Sequence, residues 1–380
     1  MKGYIRKRGD NWSFTVDVGK DPRTGKRKQK TRSGFRTKKE AQAALAEMVS
    51  NVEKGSYKEP NKRLFKDFAI EYIENIYVNK VRASTFERTS NLITNQILPW
   101  FQNATLEGID QFLVHDFYKT KKEEGYSSSY IQRMHELIRM LLRVAYKWEL
   151  IEKDIASLIE PPRIQKKEIV TWSIDQVNEF LKFTKHSRYY PVFFLAAYTG
   201  MRKGEILGLH WSDIDFEEKT IRITKTLYKI KDQYLINEPK TKNSIRTIYI
   251  DDDILRVLKR QKVKQNLEKL KFGSVYQDKN LVFAQEDGGY VYPSAVNSLF
   301  ARFTKQLEHP EIRFHDLRHT HATILLQMGV NPKIVSERLG HSTVQITLDT
   351  YSHILPSMKI DLSEKFSKTM KRGQNVVNEE

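Results

Sequence analysis

The hydrophobic pattern of this 380-residue chain changes period along its length, and those changes set what each stretch can fold into. Trp12, Phe14, Val16 and Val18 alternate with polar residues, the period of a strand. Gly9-Asp10-Asn11 before this run and Asp21 to Gly25 after it read as turns. Lys26 to Arg32 reads as a third strand, with Lys26, Lys28, Lys30 and Arg32 alternating onto one face. Thr37 then caps a helix with Glu40 at its third position, and Ala41, Ala44, Leu45, Met48, Val49 and Val52 form its apolar side. From Leu64 to about Ile159 the period is helical. Ser127 to Ser129 can cap one helix whose stripe is Ile131, Met134, Ile138, Leu141, Leu142 and Ala145. Pro161-Pro162 stops that pattern, since a helix rarely runs through two prolines. Ser173 and Gln176 form a second capping box, and Thr220–Ile223 and Ser244–Ile250 read as short strands among later helices.

The expected fold class is therefore multidomain, mainly α with small β-sheets. It comprises a three-stranded sheet plus helix over residues 1–57, a linker at 58–63 and a helical domain over 64–160. A linker at 161–172 and an α+β domain over 173–356 follow. Residues 357–380 complete the chain, with Met358, Leu362, Phe366 and Met370 as the narrow stripe of a docking helix.

Charge narrows the partner. The formal net charge is +18, which points to a polyanion. Residues 1–62 carry 17 Lys/Arg against 7 Asp/Glu, so the charge sits in a patterned head rather than being spread as in a generally basic, ribosomal-type protein. A sheet with one basic face suits a duplex groove, and Lys26, Lys28, Lys30, Arg32, Arg133 and Arg139 are the candidate DNA contacts. The chain has no cysteine, which excludes disulfides, thiolate nucleophiles and Cys-bound zinc. The uncharged run Tyr189 to Met201 holds 13 residues, too few to span a bilayer. Met1 to Arg6 lacks the apolar core of a signal peptide. The expectation is a cytoplasmic, nucleoid-associated protein with no membrane contact.

The chemistry lies in an ordered polar set: Arg202, Lys240, His315, Arg318, His341 and Tyr351. Two arginines, a lysine, two histidines and a tyrosine suit the breaking and rejoining of a phosphodiester without metal or cofactor. In-line displacement gathers negative charge on the non-bridging phosphate oxygens, and guanidinium forks match that geometry. Glu205, three residues after Arg202, would share its helical face and brace it. A tyrosine is a poor nucleophile at its free pKa near 10 and needs a helping environment. His315 and His319 also have the i, i+4 spacing of a helical zinc pair. Arg318 beside the metal, aspartate where a protease uses glutamate, and the remaining set all oppose that reading.

The wording around these residues resembles the tyrosine recombinases, the phage integrase family. It is carried by Thr199-Gly200-Met201-Arg202-Lys203-Gly204-Glu205, His315-Asp316-Leu317-Arg318, Leu339-Gly340-His341 and Thr347-Leu348-Asp349-Thr350-Tyr351. The resemblance implies an arm-binding head, a core-binding domain and a catalytic domain. It implies Tyr351 as nucleophile, Arg202 and Arg318 on the scissile phosphate, and His341 as a phosphate hydrogen-bond donor. His315 would exchange protons with the tyrosine or bind the phosphate, and Glu205 would have a supporting role. It places a general-acid lysine on a β-hairpin loop, where Lys240 fits best and Lys242 is the alternative. His319 and His321 are read as packing or supporting residues. The implied activity is integration and excision of a mobile element at double-stranded attachment sites, by a homotetramer working through a Holliday junction. No cofactor is implied. An excision accessory protein and a host DNA-bending protein are expected partners. A type IB topoisomerase-like relaxer and an inactive DNA-binding protein are the competing readings.

Overall fold

In the computed structural model the described residues are 3–20, 25–54, 63–164, 169–230, 233–237 and 245–351. The chain forms two compact units divided between Gln165 and Lys166.

The first unit begins with an antiparallel sheet, β1 (Gly3–Arg8), β2 (Asn11–Lys20) and β3 (Arg27–Phe35), with β2 in the centre. Gly9 supplies the positive φ at the β1–β2 turn. Phe14 and Val16 point to helix α1 (Lys38–Glu53) and form a small core with its Met48. The Thr37 hydroxyl accepts from the Glu40 N–H as the cap expected there. Directly paired residues of antiparallel strands share a face. The pairs Val16 with Lys30 and Phe14 with Arg32 thus set these two basic residues on the α1 side of β3, the edge strand, where Arg32 remains exposed. The other face carries Ser13, Thr15 and Thr31, the last two joined hydroxyl to hydroxyl at 2.8 Å. The turn expected over Asp21 to Gly25 lies largely outside the described residues.

A second core in this unit is built from α2 (Phe65–Asn75), α3 (Ala83–Leu92), α4 (Gln111–Glu123), α5 (Ser128–Lys147) and α6 (Ile155–Leu158). Ser127 caps α5, and the six stripe residues read from the sequence are all buried there. One polar pair interrupts this core, Tyr118 Oη to His135 Nδ1 at 2.7 Å. Arg133 and Arg139 are exposed on α5, and Arg139 also donates from Nε to the Ala156 carbonyl at 3.0 Å, tying α5 to α6.

The second unit is a helical core around two small sheets. Its helices are α7 (Ile174–Phe183), α8 (Tyr190–Thr199), α9 (Lys203–Leu207), α10 (Asp252–Phe272), α11 (Pro293–Thr304), α12 (Asp316–Gln327), α13 (Pro332–Leu339) and α14 (Val344–Thr350). Strands β4 (Ile214–Asp215), β5 (Thr220–Ile223) and β8 (Arg246–Tyr249) pair antiparallel, with β5 central; β6 (Thr226–Ile230) and β7 (Gln233–Asn237) form a separate hairpin. The hairpin was not legible as strands in the sequence pattern. Ser173 and Gln176 close the capping box expected at α7. Trp172, placed in the linker by the sequence boundary, is buried against Phe180 and Phe300 and donates from Nε1 to the Pro310 carbonyl at 2.8 Å. No described helix is long and apolar enough to cross a membrane.

Candidate active site

Helix α8 is apolar on all sides and ends at Gly200, whose φ of +66° closes it in the left-handed conformation. A Cβ there would sit 2.6 Å from Leu339 and 2.8 Å from His321, so glycine also permits the close approach of α12 and α13. The Gly200 carbonyl accepts from Arg318 Nη1 at 2.9 Å. Arg318 is only 3% exposed, and its Nη2 has no hydrogen-bond partner among the described residues. Burial, then the neighbouring Arg202, pushes its pKa down to about 9. A buried guanidinium with an unused N–H is a strained arrangement that an anion would relieve.

Arg202 follows Gly200 by two residues, at the entrance to α9. It donates from Nη1 to Glu205 Oε1 at 2.9 Å and from Nη2 to the Gly340 carbonyl at 3.2 Å. Glu205 is 2% exposed. It also accepts from Arg246 Nη2 at 2.9 Å and Nη1 at 3.2 Å, so a carboxylate clamped by two guanidiniums lies under the site. Burial alone would raise the Glu205 pKa; Arg246 and Arg202 outweigh it and hold the carboxyl below its ordinary value. Glu205 does meet Arg202, but not across a shared helical face as the spacing suggested: Arg202 is the extended residue that precedes α9, and Glu205, at the third position of that helix, also accepts from the Arg202 backbone N–H at 2.9 Å. Arg246 was missed as a site residue. It donates from Nε to the Arg338 carbonyl at 2.6 Å and lies against Gly340, where a Cβ would come within 2.8 Å of its Nη1. The available signal was an arginine in alternation with Ile248 and Ile250, which are buried at the end of β8 and just after it.

His315 stands at the start of α12, one turn before His319 and beside Arg318. Asp316 accepts from the Arg313 backbone at 2.7 Å and its guanidinium at 2.9 and 3.1 Å, which fixes this turn. Although His315 is exposed as a whole, desolvation within the cleft, then His319 and Arg318, push its pKa down to about 4. His341 bonds through Nδ1 to Thr347 Oγ1 at 2.8 Å; burial, then Arg318 and Arg202, push it down to about 3. His321 is structural: one ring nitrogen faces the Ala197 carbonyl at 2.9 Å and the other accepts from Arg338 Nε at 3.2 Å.

These groups surround one cleft of about 870 Å³, lined by Arg202, Arg318, His315, His319 and His341 among others. Lys203, given no role in the sequence, also lines it and donates from Nζ to Asn297 Oδ1 at 2.8 Å. Tyr351 ends α14 behind this wall, its ring 1% exposed among Ala322, Leu326, Val335 and Leu339. Burial pushes the phenol up to about 12, with Arg318 opposing. Its hydroxyl lies 2.9 Å from His319 Nδ1. Lys240, Lys242 and the stripe from Met358 to Met370 lie outside the described residues. Among the described residues no three His, Cys, Asp or Glu side chains group as metal ligands do.

Comparison with known proteins gives the class to which this fold and cleft belong. The Phage integrase family matches residues 172–358, the Arm DNA-binding domain residues 4–52, and the Phage integrase N-terminal SAM-like domain residues 64–122. The chain is 30% identical to a tyrosine recombinase XerC-like protein of Caldanaerobacter subterraneus subsp. tengcongensis, over 95% of this chain and 97% of that one. It is 26% identical to the ICEBs1 integrase of Bacillus subtilis, over 94% of this chain and 98% of that one. The fold is similar to that of the Tn1549 transposon integrase in complex with transposon right end DNA, with a TM-score of 0.66 at 20% identity, over 79% of this chain and 99% of that one. The chain belongs to the phage integrase family, the tyrosine recombinases, and its enzyme class is that of the family, site-specific DNA recombination.

Proposed function

We propose that this recombinase integrates and excises a mobile element by way of a 3′-phosphotyrosyl intermediate on Tyr351. The observation that carries the reading is the cleft itself. Arg202 and Arg318 both line it, the Nη2 amino group of Arg318 is buried without a hydrogen-bond partner among the described residues, and the Tyr351 hydroxyl is bonded to His319, which also lines it. The phosphate would be held between the two guanidiniums, with His341 as a further hydrogen-bond donor to its non-bridging oxygens and His315 either a second such donor or a proton-exchange partner of the tyrosine. Removing one such donor typically lowers kcat about 10²–10³-fold. Tyr351 Oη attacks phosphorus, the bond from phosphorus to the 5′-oxygen breaks, and that oxygen takes a proton from Lys240, with Lys242 as the alternative. The covalent bond conserves the phosphodiester energy, so a 5′-hydroxyl from a partner strand can reverse the step without ATP. Glu205 is the positioning residue for Arg202.

Two rounds of this exchange, run by four protomers through a Holliday junction, would recombine two double-stranded attachment sites. The residue 1–57 head would grip arm sites, the 64–160 helices and the 173–356 domain the core site, with 58–63 and 161–172 as linkers and 357–380 docking. Lys26, Lys28, Lys30, Arg32, Arg133 and Arg139 are the proposed backbone contacts. The protein would work on the nucleoid in the cytoplasm, with an excision accessory protein and a host DNA-bending protein as partners. The similarity to the ICEBs1 integrase favours a conjugative or phage element over a topoisomerase-like relaxer or an inactive binder.

The test is covalent trapping on a nicked duplex carrying the attachment site taken from the DNA flanking the gene, in EDTA. The wild type should form a protein–DNA adduct on a denaturing gel, and Tyr351→Phe should form none. An adduct that survives Tyr351→Phe moves the nucleophile elsewhere; tight binding with no adduct from the wild type supports the inactive-binder reading.

A further inference from the structure

Tyr351 is buried, its phenol is harder to ionise than a free one, and an activated nucleophile of this kind needs a base within hydrogen-bond reach. Four histidines stand at the start of α12, within it, or between α13 and α14, and their bonding separates them. His321 has both ring nitrogens engaged, by the Ala197 carbonyl and by Arg338. His341 turns Nδ1 to Thr347. His315 stands at the mouth of the cleft, its ring perpendicular to that of His319 with centroids 5.3 Å apart. Among the described residues, His319 is the histidine bonded to the phenol, at 2.9 Å, inside the distance a proton transfer needs, about 2.6–3.2 Å. It also lines the cleft, so a phenol oxygen at its Nδ1 is next to the place proposed for the phosphate.

We infer that His319 is a further catalytic residue, the base that takes the phenolic proton of Tyr351 during cleavage and returns it during rejoining. The inference rests on the reading of Tyr351 as nucleophile. In cleavage the Oη–H bond breaks with its proton passing to Nδ1, the Oη–P bond forms, and the bond from phosphorus to the 5′-oxygen breaks. The departing 5′-oxygen takes its proton from the general-acid lysine. In rejoining, a 5′-hydroxyl gives its proton to that lysine and attacks phosphorus, and Tyr351 leaves with the proton held on Nδ1. Nothing is oxidised or reduced. The base must start neutral. Burial lowers the His319 pKa, with Arg318 and Arg313 adding to it and Asp316 opposing, so the uncharged ring prevails at neutral pH. This assignment leaves His315 and His341 free to serve the phosphate.

The test uses the full chain and the same nicked duplex in single turnover. His319→Asn keeps an amide near the Nδ1 position and can hold the hydrogen bond, but cannot take the proton. It should bind the duplex as wild type does and form adduct about 10²-fold more slowly, the low end for general-base catalysis. Replacing Tyr351 by 3,5-difluorotyrosine, whose phenol is far more acidic, should shrink that penalty to a few-fold. An equal penalty with both phenols, or no penalty with tyrosine, overturns the inference. Should His319→Asn fail to bind the duplex, the same pair of measurements is made on His319→Gln. An adduct on Tyr351→Phe instead rejects the nucleophile assignment itself, whatever His319 does.

Discussion

The helices of residues 64–159 and the unit that carries the cleft are built from similar apolar material but fill their interiors differently. Phe65, Phe68, Ile93, Phe117, Ile138 and Leu141 close the first, and Thr89 and His135 are its buried polar residues. The second has an equally closed core around Phe180, Phe193 and Phe300, yet it also buries Glu205, Asp316 and Arg318. An ionised group leaves water only at a cost of several kcal/mol unless it is paired. Glu205 is paired twice, whereas among the described residues Arg318 is held by one carbonyl and its Nη2 amino group has no partner. The contrast separates two uses of sequence. One region spends its pattern on stability and shape; the other accepts electrostatic strain at the place where a phosphate would relieve it.

The sharpest way to break this comparison is Glu205→Gln. It leaves Arg202 and Arg246 facing a neutral amide and should destabilise the second unit by about 3–5 kcal/mol, the usual result of removing one partner of a buried pair. Urea unfolding would measure it, and adduct formation should slow as Arg202 loses its brace. A loss no larger than that of a surface substitution would mean the buried carboxylate is not what organises the site. Next in size is Leu141→Ala in the helical core. A fully buried leucine truncated to alanine should lower stability by about 2–5 kcal/mol, while the single-turnover rate on saturating duplex stays at the wild-type value. A slowed rate at saturation would show that the chemistry depends on that core.

The smallest effect per residue is one of pH. Burial pushes His321 down to about 3 in the folded protein, against an unfolded value near 6.5. A depressed pKa contributes stability that is complete above the unfolded value and is lost as pH falls toward the folded one. At pH 5 this single histidine should remove about 2 kcal/mol from the second unit. His315 and His341 shift in the same direction and act with it. The helical core has only His135 lowered, by burial and Arg139, and should lose less. Hydrogen exchange at pH 7 and pH 5, corrected for intrinsic rates, reads the regions separately; equal losses of protection would overturn the contrast.

Much of the architecture could be read without coordinates because it depends on neighbours in the chain. The helix caps at Thr37, Ser127 and Ser173 were legible, since a cap and its N–H partner lie three residues apart. So were β5 at Thr220–Ile223 and the stripe of α5, which follow from strand and helix period. The order of Arg202, His315, Arg318, His341 and Tyr351, and the nearness of Glu205 to Arg202, were visible in local wording and spacing. Tertiary structure alone decided the partnerships that span the chain. Arg246 reaches Glu205 across 41 positions, and Arg318 reaches Gly200 across 118. His319, read as a packing or supporting residue, meets the Tyr351 hydroxyl 32 positions away. The face taken by Lys30 and Arg32 likewise depended on the register of β2 with β3. The physical reason is one of range. Periodicity and capping express bonds within a turn or a strand, whereas which arginine clamps which carboxylate is settled only when packing brings distant segments within about 3 Å of each other.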